Sequence, residues 1–499
     1  MSFSDRFIKK VIRLPAAISR RKPRCVDMKK IPGSLTVFLI AAIICGCGAA
    51  GEKPIESLPP RPETPSPAAA PAEKRPLPTE DPAAIRQKER AELIQNAAFA
   101  ASPAFEPGFP VEEFLLWTEE HVYPGVLDEV AAGCGGLDFG DFLRENTKES
   151  IYVLTDRFYG LADDPDKAAA ARVFFPEESP GADIVLSFGG DINLVEDGYV
   201  VPVLRAAANG LPDVLAGGLL ERMRAADVLL LNNEFAFTTG GTALPGKEYV
   251  FRADPKNAEI LVEMGADVVF LANNHVFDFG REGLSDTLKT LDDAGIARIG
   301  AGENIHEAAA PAYFIVKGRK IAYIGAGCIE RYGIFTPGAT ENSPGIFRAD
   351  EKNARLLSAV ISEAVSKSDF TVVNIHWGVE STSVTEPYQR ELGRICIDAG
   401  ADAVIGNHPH VLQGAEFHKG KPIVYSTGNF WFSRTQTYSC LLELVLSGED
   451  VTVRLVPCET GGGITKLTSG ETAERINKYY ENISFNVAVD ADGTINDIK

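Results

Sequence analysis

The chain has 499 residues, 45% of them apolar, enough for a sizeable core in two domains or in one large domain with additions. Its formal net charge is −20 and no basic stripe is visible, which argues against nucleic-acid binding. Residues 1–46 hold ten Lys/Arg against two Asp/Glu, so taking that +8 away leaves the remainder at −28.

The first segment reads as an address. From Met28, "MKKIPGSLTVFLIAAIICGCG" has a basic start, a short apolar middle and a small residue before a cut. The apolar run is too short for a relaxed membrane span. "ICGC" is similar to a bacterial lipoprotein box with Cys47 as the lipidated residue, which makes Met28 the expected start and 1–46 a leader. An uncleaved N-terminal anchor is the competing reading. Residues 54–82 contain ten prolines, so 47–82 reads as a stiff tether between a lipid anchor and a folded body.

Residues 83–181 are mostly helical in pattern, as in "AAIRQKERAELIQNAAFA" and "PVEEFLLWTEEHV". No catalytic motif lies there, and the isolated His121 reads as a solvated or packed residue. Five cysteines follow Cys47, an odd number without a CxxC pair, so neither a zinc knot nor a disulfide framework is indicated. Cys328, Cys396 and Cys440 sit in apolar contexts and read as buried thiols.

From Ala182 short apolar runs alternate with amphipathic stretches: "DIVLSF", "DVLLL", "DVVFL", "KIAYIG", "FTVVNI", "DAVIG" and "PIVYS". Continuous apolar strands separated by helices predict a buried, largely parallel sheet with helices over it. Asp254 before Pro255 predicts a helix start, and Asp350 a second one. "CLLELVLSGEDVTVRLVPCE" predicts a β-hairpin and "SGETAERINKYYENIS" a closing helix, with 486–499 left as a tail.

Ligands of open α/β sheets sit beyond the carboxyl ends of strands, and the polar residues fall there. The exits carry Asp191 and Asn193, then Glu234, then Asn273, Asn274, His275 and Asp278, then His376 and Glu380, then Asn407, His408 and His410. Four of the seven histidines are at exits, a placement that one polar turn would not need. Asp191, Glu234, Asn274, His376, His408 and His410 form an N/O ligand set suited to Zn, Mn or Fe. Six ligands exceed what one ion needs. They supply a two-metal centre with ions about 3.5–4 Å apart, in which either carboxylate could bridge. His275 is left over as a general acid of unperturbed pKa near 6.5, with Asp278 orienting its ring. Asn193 reads as a supporting residue, His306 and His418 as surface residues, and Trp377 and Trp431 as packing residues.

These motifs resemble a known family. "NNHVFDFG" and "GNHPH" are similar to elements of calcineurin-like metallophosphoesterases. The series "GGDI", "NNE", "ANNHVFDFG", "IHWGVE", "GADAVIGNHPHVLQG" and "YSTGNFWF" resembles the CapA/PgsA family, named for capsule poly-γ-glutamate biosynthesis, over 182–485. The resemblance implies a metallophosphatase-like four-layer α/β/β/α fold, two divalent ions with Glu234 as the bridge, and Asn273, Glu380, Asn407 and Asn429 near substrate or behind the ligands. It also implies a protein outside the cytoplasmic membrane, where the Cys47 anchor would hold it, working with a membrane-bound poly-γ-glutamate synthase or export machinery. The chain departs from the family pattern at Asn407, where His is usual, and at Ser381, where Tyr is common.

Two functions follow. In one, the metal centre hydrolyses a phosphoester or related bond. In the other, the domain binds or guides a nascent polyanion without catalysis, against the repulsion of a strongly acidic body.

Overall fold

The computed structural model describes residues 82–329, 335–350, 352–432 and 434–498. The leader, Cys47 and the proline-rich stretch as far as residue 81 lie outside the described residues. No helix among the described residues is long and apolar enough to cross a membrane.

Helices come first, as their apolar spacing predicts: Pro82–Ala101, Val111–His121, Val126–Ala131, Phe139–Thr147, Ile151–Phe158 and Pro165–Ala171. Three begin on side chains that satisfy orphan N–H groups. Asp138 accepts from Asp141 at 2.9 Å, Ser150 from Val153 at 3.4 Å and Asp164 from Lys167 at 3.0 Å. Phe114, Leu115, Leu127, Phe142 and Leu143 fill a small core of their own. His121 stacks on Trp117 and is a packing residue. The segment is not helical throughout: Val173–Phe174 is a strand that joins the body, pairing with Tyr313 and Phe314.

Six strands position the site. In chain order they are β1 (Ile184–Ile192), β2 (Val228–Asn233), β3 (Val268–Phe270), β4 (Phe370–His376), β5 (Ala403–Asn407) and β6 (Asn429–Trp431). They belong to two sheets, as the four-layer resemblance implies and the apolar runs alone do not. In the first, β1, β2, β3 and Ala297–Ile299 run parallel, and the hairpin Thr437–Ser447 with Asp450–Gly461 adds antiparallel beside β1. Thr494–Asp497 and Val487–Val489 extend that edge, so the segment read as a tail supplies two strands. In the second, Arg319–Gly327, β4, β5 and Lys421–Thr427 run parallel, with Ala312–Val316 and Leu412–His418 antiparallel at the flanks.

Strand β4 shows how the layers form. Phe370 and Val372 face the other sheet and share a core with Phe188 and Tyr323. Val373 and Ile375 face outward and pack with Leu357, Val360 and Cys396 of the covering helices. Both faces are buried, hence the unbroken apolar run. Leu219, Met223, Leu261 and Leu288 come from the helices that link the parallel strands of the first sheet and cover its outer face. The order is α/β/β/α.

Asp254 caps the turn Pro255–Asn257, accepting from Lys256 at 3.0 Å. Asp350 does not cap the next long helix. It organises the preceding turn through Lys352 N–H and Asn353 Nδ2, and Asn353 takes the N-cap position of Ala354–Val365. All five described cysteines are buried free thiols.

Candidate metal centre

The parallel centres of the two sheets bring their carboxyl ends together. At the end of β1 a Cβ on Gly190 would lie 1.8 Å from the Gly428 carbonyl oxygen, so only glycine fits there. Asp191 N–H bonds that same carbonyl at 3.0 Å, and β6 places Asn429 opposite Asp191. Asp191 Oδ1 accepts from Asn232 Nδ2 at 2.6 Å. Glu234, just past β2, is fully buried, and neither carboxylate oxygen has a hydrogen-bond partner.

The second sheet supplies the imidazoles. Residues 370, 372 and 376 share one face of β4, so His376 points between the sheets. Its Nε2 lies 2.7 Å from Asn274 Oδ1, 2.9 Å from His408 Nδ1 and 3.4 Å from Glu234 Oε1. His410 Nδ1 lies 3.2 Å from Asp191 Oδ2 and 3.9 Å from Glu234 Oε2. Two groups of donors emerge, Glu234 with His376 and His408, and Asp191 with Glu234 and His410. Glu234 belongs to both. His408 and His410 flank Pro409 with φ of 106° and 61°, left-handed conformations that bulky residues avoid and that cluster at functional sites.

The electrostatics fit a cation. Burial, then Asp191, pushes Glu234 well above the usual carboxylate range. Burial opposes charge on His410 too, but Glu234 and Asp191 override it and lift this histidine to about 10. Burial and the neighbouring histidines hold His376 and His408 well below the ordinary value, in the neutral form that ligates metals. A fully buried carboxylate with two orphaned oxygens is costly unless a cation meets it. Neutral imidazoles, carboxylates and an amide oxygen suit a divalent ion.

Beside this cluster, His275 Nδ1 lies 2.7 Å from Asp278 Oδ2. Burial lowers His275 below the ordinary histidine value although Asp278 opposes it, which corrects the expectation of an unperturbed ring. Lys247 completes the group, and no motif spacing reveals it. Its ammonium donates to Asp278 Oδ1 and to the Asn274 carbonyl, and its side chain is 3% exposed. No sequence signal marks it, since the stretch around it is irregular and its burial comes from docking against Asp278.

Other expected site residues take supporting places. Asn273 Nδ2 donates to Asn232 Oδ1 at 3.1 Å, and its Oδ1 accepts from His275 and Val276 N–H, which shapes the turn. Asn193 bonds Val195 N–H and lines a cleft of about 490 Å³ together with the exposed Glu380. Asn407 Nδ2 donates to Thr427 at 3.0 Å, and Asn429 Oδ1 lies 2.9 Å from His410 Nδ1. Trp377 and Trp431 are buried and donate to backbone carbonyls. His418 pairs with Asp398 near the surface. His306 differs from its surface reading: it is half-buried and both ring nitrogens are buried without a partner.

The model of the family described as bacterial capsule synthesis protein PGA_cap matches residues 185–434, half of the chain and all of this cluster. The chain belongs to the PGA_cap family. Among curated PGA_cap-like relatives, the PGA biosynthesis protein CapA of Bacillus subtilis (strain 168) is 35% identical over 192 residues, 38% of this chain and 49% of that protein. The capsule biosynthesis protein CapA of Bacillus anthracis is 36% identical over 195 residues, 37% of this chain and 44% of that protein. The chain spans about half the length of the curated relatives it matches. Among solved structures, a hypothetical protein from Thermus thermophilus aligns with 56% of this chain and 99% of its own, at 17% identity and a TM-score of 0.34. The helical segment and the C-terminal strands lie outside the PGA_cap match.

Proposed function

We propose that this PGA_cap protein is a membrane-tethered, extracytoplasmic metal-dependent hydrolase that serves poly-γ-glutamate capsule synthesis or export. The observation that carries the enzymatic part is Glu234, buried, without a hydrogen-bond partner, and common to both donor groups. Asp191, Glu234 and His410 would hold one divalent ion, and Glu234, Asn274, His376 and His408 a second, each of them Mn, Zn or Fe. When bound, such ions supply Lewis-acid charge to a phosphoryl or carbonyl oxygen.

The protein's own groups do the rest. Asn232 and Asn429 orient Asp191 and His410. Lys247 and the Phe251 N–H fix Asp278, which holds His275 by Nδ1. That leaves Nε2 of His275 for proton delivery to a leaving oxygen. An anionic ligand raises the pKa of this ring and makes the acid form available. The relatives' names support the capsule process, and the basic-apolar leader, Cys47 and tether support the location beside membrane-bound synthase or export components.

The test is metal analysis of the purified full-length chain with a screen of phosphomonoesters and phosphodiesters. The expected result is about two divalent ions per chain and metal-dependent hydrolysis. A chain that retains no divalent ion, or retains them and hydrolyses nothing in the screen, defeats the enzymatic reading. Cys47→Ser should abolish lipidation and release the protein from membrane fractions, and an unchanged membrane pool defeats the anchor.

A further inference from the structure

The cleft beside the centre has a polarity of its own. His275 and His410 line its inner end. The Phe251 ring lies 4.3 Å from His275 and the Phe432 ring 4.9 Å from His410, and the two phenylalanines meet edge-on at 5.7 Å. Tyr199 and Tyr249 line it further out, 57% and 63% exposed. Asp197 and Glu380 are its acidic groups, and no lysine or arginine is among the described lining residues.

Aromatic faces and carboxylates both attract positive charge. A divalent centre attracts negative charge. We infer that this cleft seats an ammonium group on a ligand whose anionic oxygens lie at the metal centre, an inference that rests on the metal reading above. The chemistry of a γ-linked glutamate chain makes the consequence specific. Every internal residue carries a free α-carboxylate, and its α-nitrogen is spent in an amide. Only the amino-terminal residue keeps an α-ammonium beside its α-carboxylate. The cleft therefore favours the amino end of such a chain and rejects its polyanionic body. A phosphoester of an amino alcohol carries the same pair of charges.

Calorimetry on the full-length protein, with metal content measured alongside, separates these. The ligands are a γ-linked glutamate trimer with a free amine, the same trimer N-acetylated, phosphoethanolamine, ethyl phosphate, and tetramethylammonium alone. The free trimer should bind roughly tenfold or more tightly than the acetylated trimer, and phosphoethanolamine than ethyl phosphate, each counterpart lacking only the ammonium. The tighter of trimer and phosphoethanolamine identifies the source. Tyr249→Ala and Glu380→Gln should each weaken ammonium binding roughly three- to tenfold with metal content unchanged, and Glu380→Gln should bind the acetylated trimer no more weakly than wild type, because it removes a like charge. Equal affinity of free and acetylated trimers for the metal-loaded protein overturns the ammonium site and leaves the metal centre standing. Tetramethylammonium binding that Tyr249→Ala weakens, in a protein that holds no metal, upholds the ammonium site and defeats the metal reading. Metal-loaded protein that binds none of the ligands overturns the inference.

Discussion

Strands β2, β3, β4 and β5 each follow an aspartate, and β2 also runs out onto an acid, Glu234; the acids at the two ends live differently. At the amino ends Asp227, Asp267, Asp369 and Asp402 each precede a strand. Asp227 accepts from Ser179 N–H, Val185 N–H and Lys317. Asp369 accepts from Ser150 Oγ at 2.6 Å, Lys320 N–H at 2.7 Å and Arg144 at 3.4 Å. Asp402 takes Thr371 N–H and Lys421. At the carboxyl ends Glu234 has no such partner. Burial of an acid is therefore no sign of function by itself. What sets Glu234 apart from the amino-end acids, and from Asp278 at its own edge, is that the protein leaves both of its oxygens without a hydrogen bond.

The sharpest way to break this contrast is Glu234→Gln. It should cost the protein its divalent ions at both donor groups, read by metal analysis. In metal-stripped protein the same change should stabilise, because it removes an unpartnered carboxylate. The sign follows from the raised pKa of Glu234. The folded state holds the proton more tightly than the unfolded one, so wild-type stability falls as pH rises above the ordinary glutamate value of about 4.3, and the variant escapes that fall. Equal pH profiles of thermal unfolding for the two stripped proteins would erase the distinction between the edges.

Next in size, His275→Ala should retain its metal and lose about a hundredfold to ten-thousandfold in turnover on a substrate with a poor leaving group. A substrate with an activated leaving group should be spared. Loss of metal in this variant makes the histidine a ligand instead.

At the satisfied edge, Asp369→Ala strips partners from Ser150 and Lys320 N–H and removes one of the ties between the helical segment and the second sheet. It should cost roughly 3–5 kcal/mol in denaturant unfolding, with metal content unchanged. A coupled loss of metal would show that the edges are not independent.

The smallest effect belongs to Asp267, which accepts from the Leu229 N–H at 2.8 Å. Burial, with Asp227 nearby, lifts it to about 6 from an ordinary 3.8. Stability is thus lost as pH rises from about 3.8 through 6, by at most roughly 3 kcal/mol. Asp267→Asn should raise the melting temperature at pH 7 and do little at pH 3.5.

Much of this was legible in the residues. Strand exits follow from where apolar runs stop, and Asp191, Glu234, Asn274, His376, His408 and His410 all stand at such stops and are brought together. The division into two sheets was legible only through the motif resemblance, because an apolar run records that both faces are buried and not which layer buries them. Lys247 was hidden for a related reason. Lysine in a turn-rich stretch reads as solvated, and only the docking of that stretch against Asp278, 31 residues away, buries it. Asp350 misled because the turn after it continues to Asn353 before the helix begins. His275 was placed but its basicity was not, since its burial depends on Phe251.

The stretch from Lys247 to Phe251 has two faces. Lys247 and the Phe251 N–H grip Asp278, and Tyr249 and the Phe251 ring border the cleft. Ancestry can alter these at different speeds. A new side chain at 249 changes what the cleft welcomes without moving either grip, so ligand preference can drift one substitution at a time. An insertion or deletion between 247 and 251 shifts both grips and the ring of His275 with them. Side-chain identity at 249 is thus separable from the loop's length, on which the hold on His275 depends.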